Sequence, residues 1–179
     1  MRGDWMQTYT GRKFYILDPR PEDVDVVDIA HHLSLIDRFT GATERGISVA
    51  QHSVWVSCRF SSVEPLLALW GLLHDAAEAY TGDVGRPLKR CLKELGLDFD
   101  RAVEAPILTC IAEALQIPPC PNWGAVKYAD EEALAAEARS CMHSIHPEWD
   151  LPESDVVVQP WSPRVAEESF LARYRLLRC

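Results

Sequence analysis

The run from Ala68 to Asp83 constrains this chain more than any other stretch, because a strongly apolar segment turns abruptly polar at His74-Asp75. Leu66, Leu69, Trp70 and Leu73 recur at helical spacing, which predicts a buried helix from Glu64 to Tyr80 with Gly82 as its stop. An imidazole beside a carboxylate is costly inside a core unless something binds both. Glu78 lies four residues after His74 and three after Asp75, so one helix face carries all three groups. Such a face reads as part of a metal site with a catalytic carboxylate beside it, provided that more ligands come from elsewhere. A capped or salt-bridged core histidine is the plainer alternative.

Two other segments supply the missing ligands. Ser48-Val49-Ala50-Gln51 has the form of a capping box, which starts a helix at Ser48 and puts His52 in its first turn. The helix dipole there disfavours an imidazolium and suits a neutral imidazole ligand. Trp123 to about Met142 reads as a long amphipathic helix. Asp130, four residues from both Val126 and Leu134, lies on its apolar side, whereas Glu131 and Glu132 face water. His52, His74, Asp75 and Asp130 thus form a mixed nitrogen–oxygen donor set from three helices, leaving positions on a divalent transition metal open for water and substrate.

The rest of the chain predicts one all-α domain over residues 1–179, with at most a minor β-strand pair. Thr8 to Leu17 reads as a small hairpin or extended arm. A first helix runs from about Asp25 to Phe39 and stops at Gly41, with Arg38 complementing the dipole in its last turn. A loop from Asp83 to Lys89 enters a short basic helix through Leu88, Leu92 and Leu95, and another helix follows from about Asp100 to Leu115. Val156 to Val158 suggests an edge strand, and Ser162-Pro163 opens a last helix packed through Ala166, Phe170, Tyr174 and Leu177. His31, His32, His143 and His146 lack matching carboxylates and are assigned surface or helix-end roles. The net charge of −9 argues against a polymeric nucleic acid as partner. Six cysteines without C-x-x-C spacing read as reduced packing thiols. With neither a signal pattern nor a membrane-length apolar run, the expected location is the cytoplasm.

The order His52, His74-Asp75, Asp130 resembles that of the HD-domain superfamily of metal-dependent phosphohydrolases. Leu35-Ile36-Asp37-Arg38-Phe39 is similar to the arginine-plus-aromatic pair of its 5'-deoxynucleotidase-like branch. His74 through Asp83, followed by Pro87 and Lys89, looks like that branch's HD-x-x-E-x-x-x-x-D segment, and the likeness covers about Ile29 to Leu134. The resemblance implies an HD-type helical bundle that converts a deoxynucleoside monophosphate to deoxynucleoside and phosphate. One divalent ion (Mn, Co, Zn, Fe or Mg) would be held by His52, His74, Asp75 and Asp130. Glu78 would orient or deprotonate water. Arg38 and Lys89 would hold phosphate, and Phe39 would wall the sugar or base. Asp83 would lie near the sugar and leaving group, with an Asx turn after Gly82 as its alternative role. The implied partners are a nucleotide substrate, no membrane, and further copies in a homodimer or larger homo-oligomer. A deoxynucleoside triphosphate triphosphohydrolase of the compact phage kind would use nearly the same residues. A non-catalytic metal-binding scaffold is the reading from another class, and neither Glu78 nor Arg38 is needed for it.

Overall fold

The computed structural model describes residues 3–60 and 64–178. Apart from one antiparallel strand pair, β1 (Met6–Gln7) and β2 (Lys13–Phe14), its regular elements are helices. Met6 faces Phe14 and Gln7 faces Lys13. This hairpin is fastened at three points. Phe14 is fully buried and stacks on Tyr80, with ring centroids 3.6 Å apart. Asp28 accepts from the Thr10 amide at 2.6 Å and from its hydroxyl at 2.9 Å. His32 donates through Nδ1 to the Ala79 carbonyl (2.7 Å), while its Nε2 accepts the Tyr9 amide (3.1 Å).

Helix α1 (Val26–Leu35) starts where Asp25 accepts from the Val27 amide. It stops at Leu35 rather than Phe39, because the next residues pair with the approach to α2 (Val49–Cys58). The Arg38 amide donates to the Ile47 carbonyl at 2.9 Å, and the Val49 amide to that of Ile36 at 3.0 Å. Arg38 therefore sits in front of α2 instead of at the end of α1. A 3-10 turn over Arg38–Gly41 follows, with Phe39 (φ 58) and Thr40 (φ 54) both left-handed. Non-glycine residues there carry strain of roughly 1–3 kcal/mol each.

Helix α2 starts after Ser48 as expected, with Ser48 accepting from the Gln51 amide at 3.2 Å, but the Gln51 side chain bonds the backbone of Gln159 and Trp161 instead of closing a capping box. Helix α3 (Pro65–Leu73) has proline in its first turn and is apolar all round, which makes it the central helix. Gly71 lets α3 approach α2 closely: a Cβ there would lie 3.1 Å from Ser57 Cα. The helices α1, α2 and α3 all pack against α8 (Pro163–Arg178), which buries Ala166 and Phe170 completely.

The helix predicted from Glu64 to Tyr80 is not continuous. Beyond α3 the chain winds more tightly, with Ala76 bonded to Leu73 and Glu78 to Asp75, each at 3.0 Å. It then forms the single turn α4 (Glu78–Thr81), ended by Gly82 at φ 78. With i→i+3 bonding, Glu78 eclipses Asp75, not His74.

Helix α5 (Arg86–Glu94) begins inside the stretch read as a loop, and its Leu88, with Leu95 just beyond, is exposed instead of packed. A π-turn over Asp100–Glu104 leads into α6 (Ala105–Ala114), and α7 (Trp123–Cys141) runs nearly as expected. Residues 142–162 are irregular, and Val156 to Val158 form no strand. The Val158 amide is taken instead by the Ser140 hydroxyl at 2.9 Å. Cys110 and Cys141 are buried, whereas Cys58 and Cys91 are exposed and so are not packing thiols. No helix among the described residues is long and apolar enough to cross a membrane.

Candidate metal centre

Four side chains converge where α2, the end of α3 and α7 meet. His52 Nε2 lies 3.3 Å from His74 Nε2, 3.2 Å from Asp130 Oδ1 and 3.5 Å from Asp75 Oδ2. His74 Nε2 is 3.2 Å from Asp75 Oδ2. Donor atoms of His52, His74 and Asp130 all fall within 4.8 Å of one another, so these three could hold one metal ion.

The outward nitrogen of each ring has a fixed role. His52 Nδ1 meets Glu137 Oε1 at 2.9 Å, and His74 Nδ1 meets the Gly71 carbonyl at 2.9 Å. Both acceptors require a proton on Nδ1, which leaves both Nε2 atoms as lone-pair donors facing each other. Two such lone pairs with carboxylate oxygens around them repel unless a cation lies between. A metal ion fits that demand, and so does a proton. His52, fully buried, has burial and Arg38 working against its charge, but Glu137 and Asp130 prevail and push its pKa up to about 9. Burial alone would raise Asp130, yet hydrogen bonding and charge from His52 hold it at about 2. Asp75 is likewise held far below the usual carboxylate range against its burial, chiefly by His74.

Glu137 is a further member of the cluster, absent from the ligand pattern that the sequence suggests. It sits two turns beyond Asp130 on α7, on the same helix face, and that spacing was the available signal. It is 2% exposed, and its Oε2 lies 2.8 Å from Arg38 Nε, in contact but out of hydrogen-bond alignment. Arg38, 6% exposed, also stands 3.6 Å from Asp75 Oδ2. Burial works against its charge, and Glu137 and Asp75 more than restore it.

Glu78 differs from the other acids. It is 7% exposed and its Oε2 has no partner. Burial, followed by the negative charges of Asp75 and Asp83, pushes its pKa well above the ordinary carboxylate value. Asp83 is raised as well, mainly by burial, and accepts the strained Phe39 amide at 3.1 Å.

A cleft of about 920 Å³ opens over these groups, within the size range of small-molecule sites. Arg38, Phe39, Asp75, Glu78, Asp83 and Asp130 all line it. Arg86, Lys89 and Arg90 edge another side, and Leu134, Met142 and Trp149 give an apolar wall. Two of these cations are already engaged. Arg86 bonds Asp130 at 3.1 Å, and Lys89 contacts Glu104 at 2.6 Å and Asp100 at 2.9 Å. The other histidines lie outside the cluster, although two do have carboxylate partners, contrary to the sequence reading: His31 meets Glu167 at 3.0 Å and His143 meets Glu44 at 2.6 Å.

Fold and site together define an all-α protein with a histidine–aspartate centre at the floor of an open cleft. The chain is 39% identical over 135 residues to YfdR, an uncharacterized protein of Escherichia coli K12, a match covering 75% of this chain and 71% of that one. It is 32% identical over 144 residues to an uncharacterized protein of Rhodobacter capsulatus, covering 77% and 73% respectively. It belongs to the family of these two proteins. No family model matches it.

Proposed function

We propose that this chain is an HD-type, metal-dependent phosphohydrolase that cleaves the 5'-phosphate ester of deoxynucleoside monophosphates. The observation that carries this reading is the buried carboxyl of Glu78, whose Oε2 has no hydrogen-bond partner, beside a converging imidazole–carboxylate set. A scaffold site needs ligands; it has no use for a desolvated carboxyl without a partner, which is costly to bury. His52, His74 and Asp130, with Asp75 as fourth ligand, would hold the ion. When bound, that ion lowers the pKa of water and draws charge from phosphoryl oxygens.

The chain's own groups do the rest. Glu78 takes the proton of the attacking water as the new P–O bond forms. Asp83, in its protonated form, gives a proton to O5' as the P–O5' bond breaks, releasing deoxynucleoside and inorganic phosphate. Arg38, fixed by Glu137, turns its remaining N–H donors to the phosphate. Phe39 borders the sugar with a carbon surface, where a 2'-hydroxyl would lose hydration without gaining partners. That costs roughly 1–3 kcal/mol, about tenfold to a hundredfold in rate or affinity.

A single phosphoryl group suits the cleft better than a triphosphate. Arg38, Arg86 and Lys89 are already paired with carboxylates, so a tetra-anion would find few free cations. The test is incubation with Mn²⁺, Co²⁺ or Mg²⁺ and a panel of ribo- and deoxynucleoside mono- and triphosphates, separating the products. The expected outcome is phosphate from dAMP, with AMP slower by at least about tenfold. Triphosphate released from dATP would assign the rival reaction, and no hydrolysis of any ester would leave a metal-binding scaffold.

A further inference from the structure

We infer that Trp149 is a specificity-determining residue, the surface on which the aromatic base of the substrate stacks; this rests on the nucleotide phosphohydrolase reading above. The ring lines the same cleft as Asp75, Glu78 and Asp130, but on its apolar wall with Leu134 and Met142. It stands edge to face with Phe39, centroids 6.3 Å apart and planes at 73°. Phe39 in turn borders Arg38, 5.4 Å from its guanidinium carbon, so Arg38, Phe39 and Trp149 follow one another along the cleft as phosphate, sugar and base do along a nucleotide. Trp149 remains 37% exposed, so part of its surface is left for a ligand in the cleft to cover.

The ring is held ready although its segment has no regular structure. The Trp149 amide donates to the His146 carbonyl at 2.9 Å, and its carbonyl accepts from Leu151 at 2.8 Å. Leu151 is buried, and Arg139 on α7 clamps the carbonyls of Leu151 and Pro152, each at 3.1 Å. The helix that carries Asp130 therefore also fixes the position of Trp149. A wall preset in this way loses little entropy on binding. Every base has a π-face, so stacking on indole accepts all four, with purines favoured by their larger area.

The experiment compares kcat/KM for dAMP, dCMP and 2-deoxyribose 5-phosphate in the wild type, Trp149→Ala and Trp149→Phe. The expected wild type prefers dAMP over the base-free sugar phosphate by about tenfold to a hundredfold. Trp149→Ala should collapse that ratio toward one, chiefly through KM, and erase the advantage of dAMP over dCMP; Trp149→Phe should restore most of both. Adenine hypochromism on binding to metal-loaded Glu78→Gln protein should vanish when Trp149→Ala is added. Equal falls for all three substrates in Trp149→Ala would overturn the inference, since they would mean a structural role for the segment. So would a wild type that treats dAMP and the sugar phosphate alike. Hydrolysis of none of them would remove the reading beneath it as well.

Discussion

At the residue scale, His52, His74, Asp75 and Asp130 converge as a candidate ligand set, and Glu137 stands behind it against both His52 and Arg38. His74, Asp75 and Glu78 stood out because polar residues interrupt an apolar run, and His52 because a capping box preceded it. Glu137 gave no such contrast, since a lone glutamate in an alanine-rich helix is ordinary on a solvated face. Its importance lies in reaching two buried cations from different elements, Arg38 and His52, which spacing along one helix does not reveal. Glu137→Gln should weaken metal binding about 10- to 100-fold, because an amide cannot enhance the basicity of His52 as a carboxylate does. Competition with a fluorescent chelator measures it, and unchanged affinity would reduce Glu137 to a partner of Arg38 alone. Glu78→Gln should behave oppositely, keeping the metal by elemental analysis while slowing turnover by about 10²–10⁴. The protonation of His52 gives a third expectation. Its folded pKa of about 9 exceeds the unfolded value of about 6.5, so its stabilising contribution to the metal-free protein is complete below the lower value. That contribution is lost as pH rises through about 9. Thermal melts of chelator-treated protein across this window should show falling Tm, and a His52→Gln variant should lose the slope.

At the scale of elements, the starts of helices were more legible than their ends. Ser48 and Ser162-Pro163 announce α2 and α8 through local chemistry, and the structure puts both helices there. The end of α1 depends on pairing between residues 36–38 and 47–49, which no helical periodicity encodes. The interruption after Leu73 was hidden for a similar reason: Ala76 and Ala77 are good helix formers, yet the chain there takes i→i+3 bonds. Leu88 on α5 and Leu95 just beyond it look like core in sequence because amphipathic spacing says nothing about whether a partner face exists. The closeness of α2 and α3 yields an element-scale prediction. Gly71→Ala places a methyl 3.1 Å from Ser57 Cα and 3.2 Å from the Phe60 ring, so the helices must separate slightly. Overpacking of this kind costs about 1–3 kcal/mol. A lowered denaturation midpoint at unchanged m-value would confirm it; unaltered stability would mean that α2 yields freely.

At the scale of the whole molecule, an acidic chain assembles a cleft where cations and carboxylates are closely matched. The surplus of negative charge lies elsewhere, an arrangement compatible with the small anionic substrate proposed above. The fastening of the amino-terminal hairpin acquires meaning at this scale. His32 grips the carbonyl of Ala79, the residue next to Glu78, with one nitrogen and the backbone of Tyr9 with the other. The hairpin thus acts as a stay line on the turn that carries the carboxyl proposed to activate water, while none of the proposed metal ligands hangs from it. Under the proposed function, wear in that line would detune the reaction and leave the ion in place: a protein that looks fully loaded and well folded, yet works slowly.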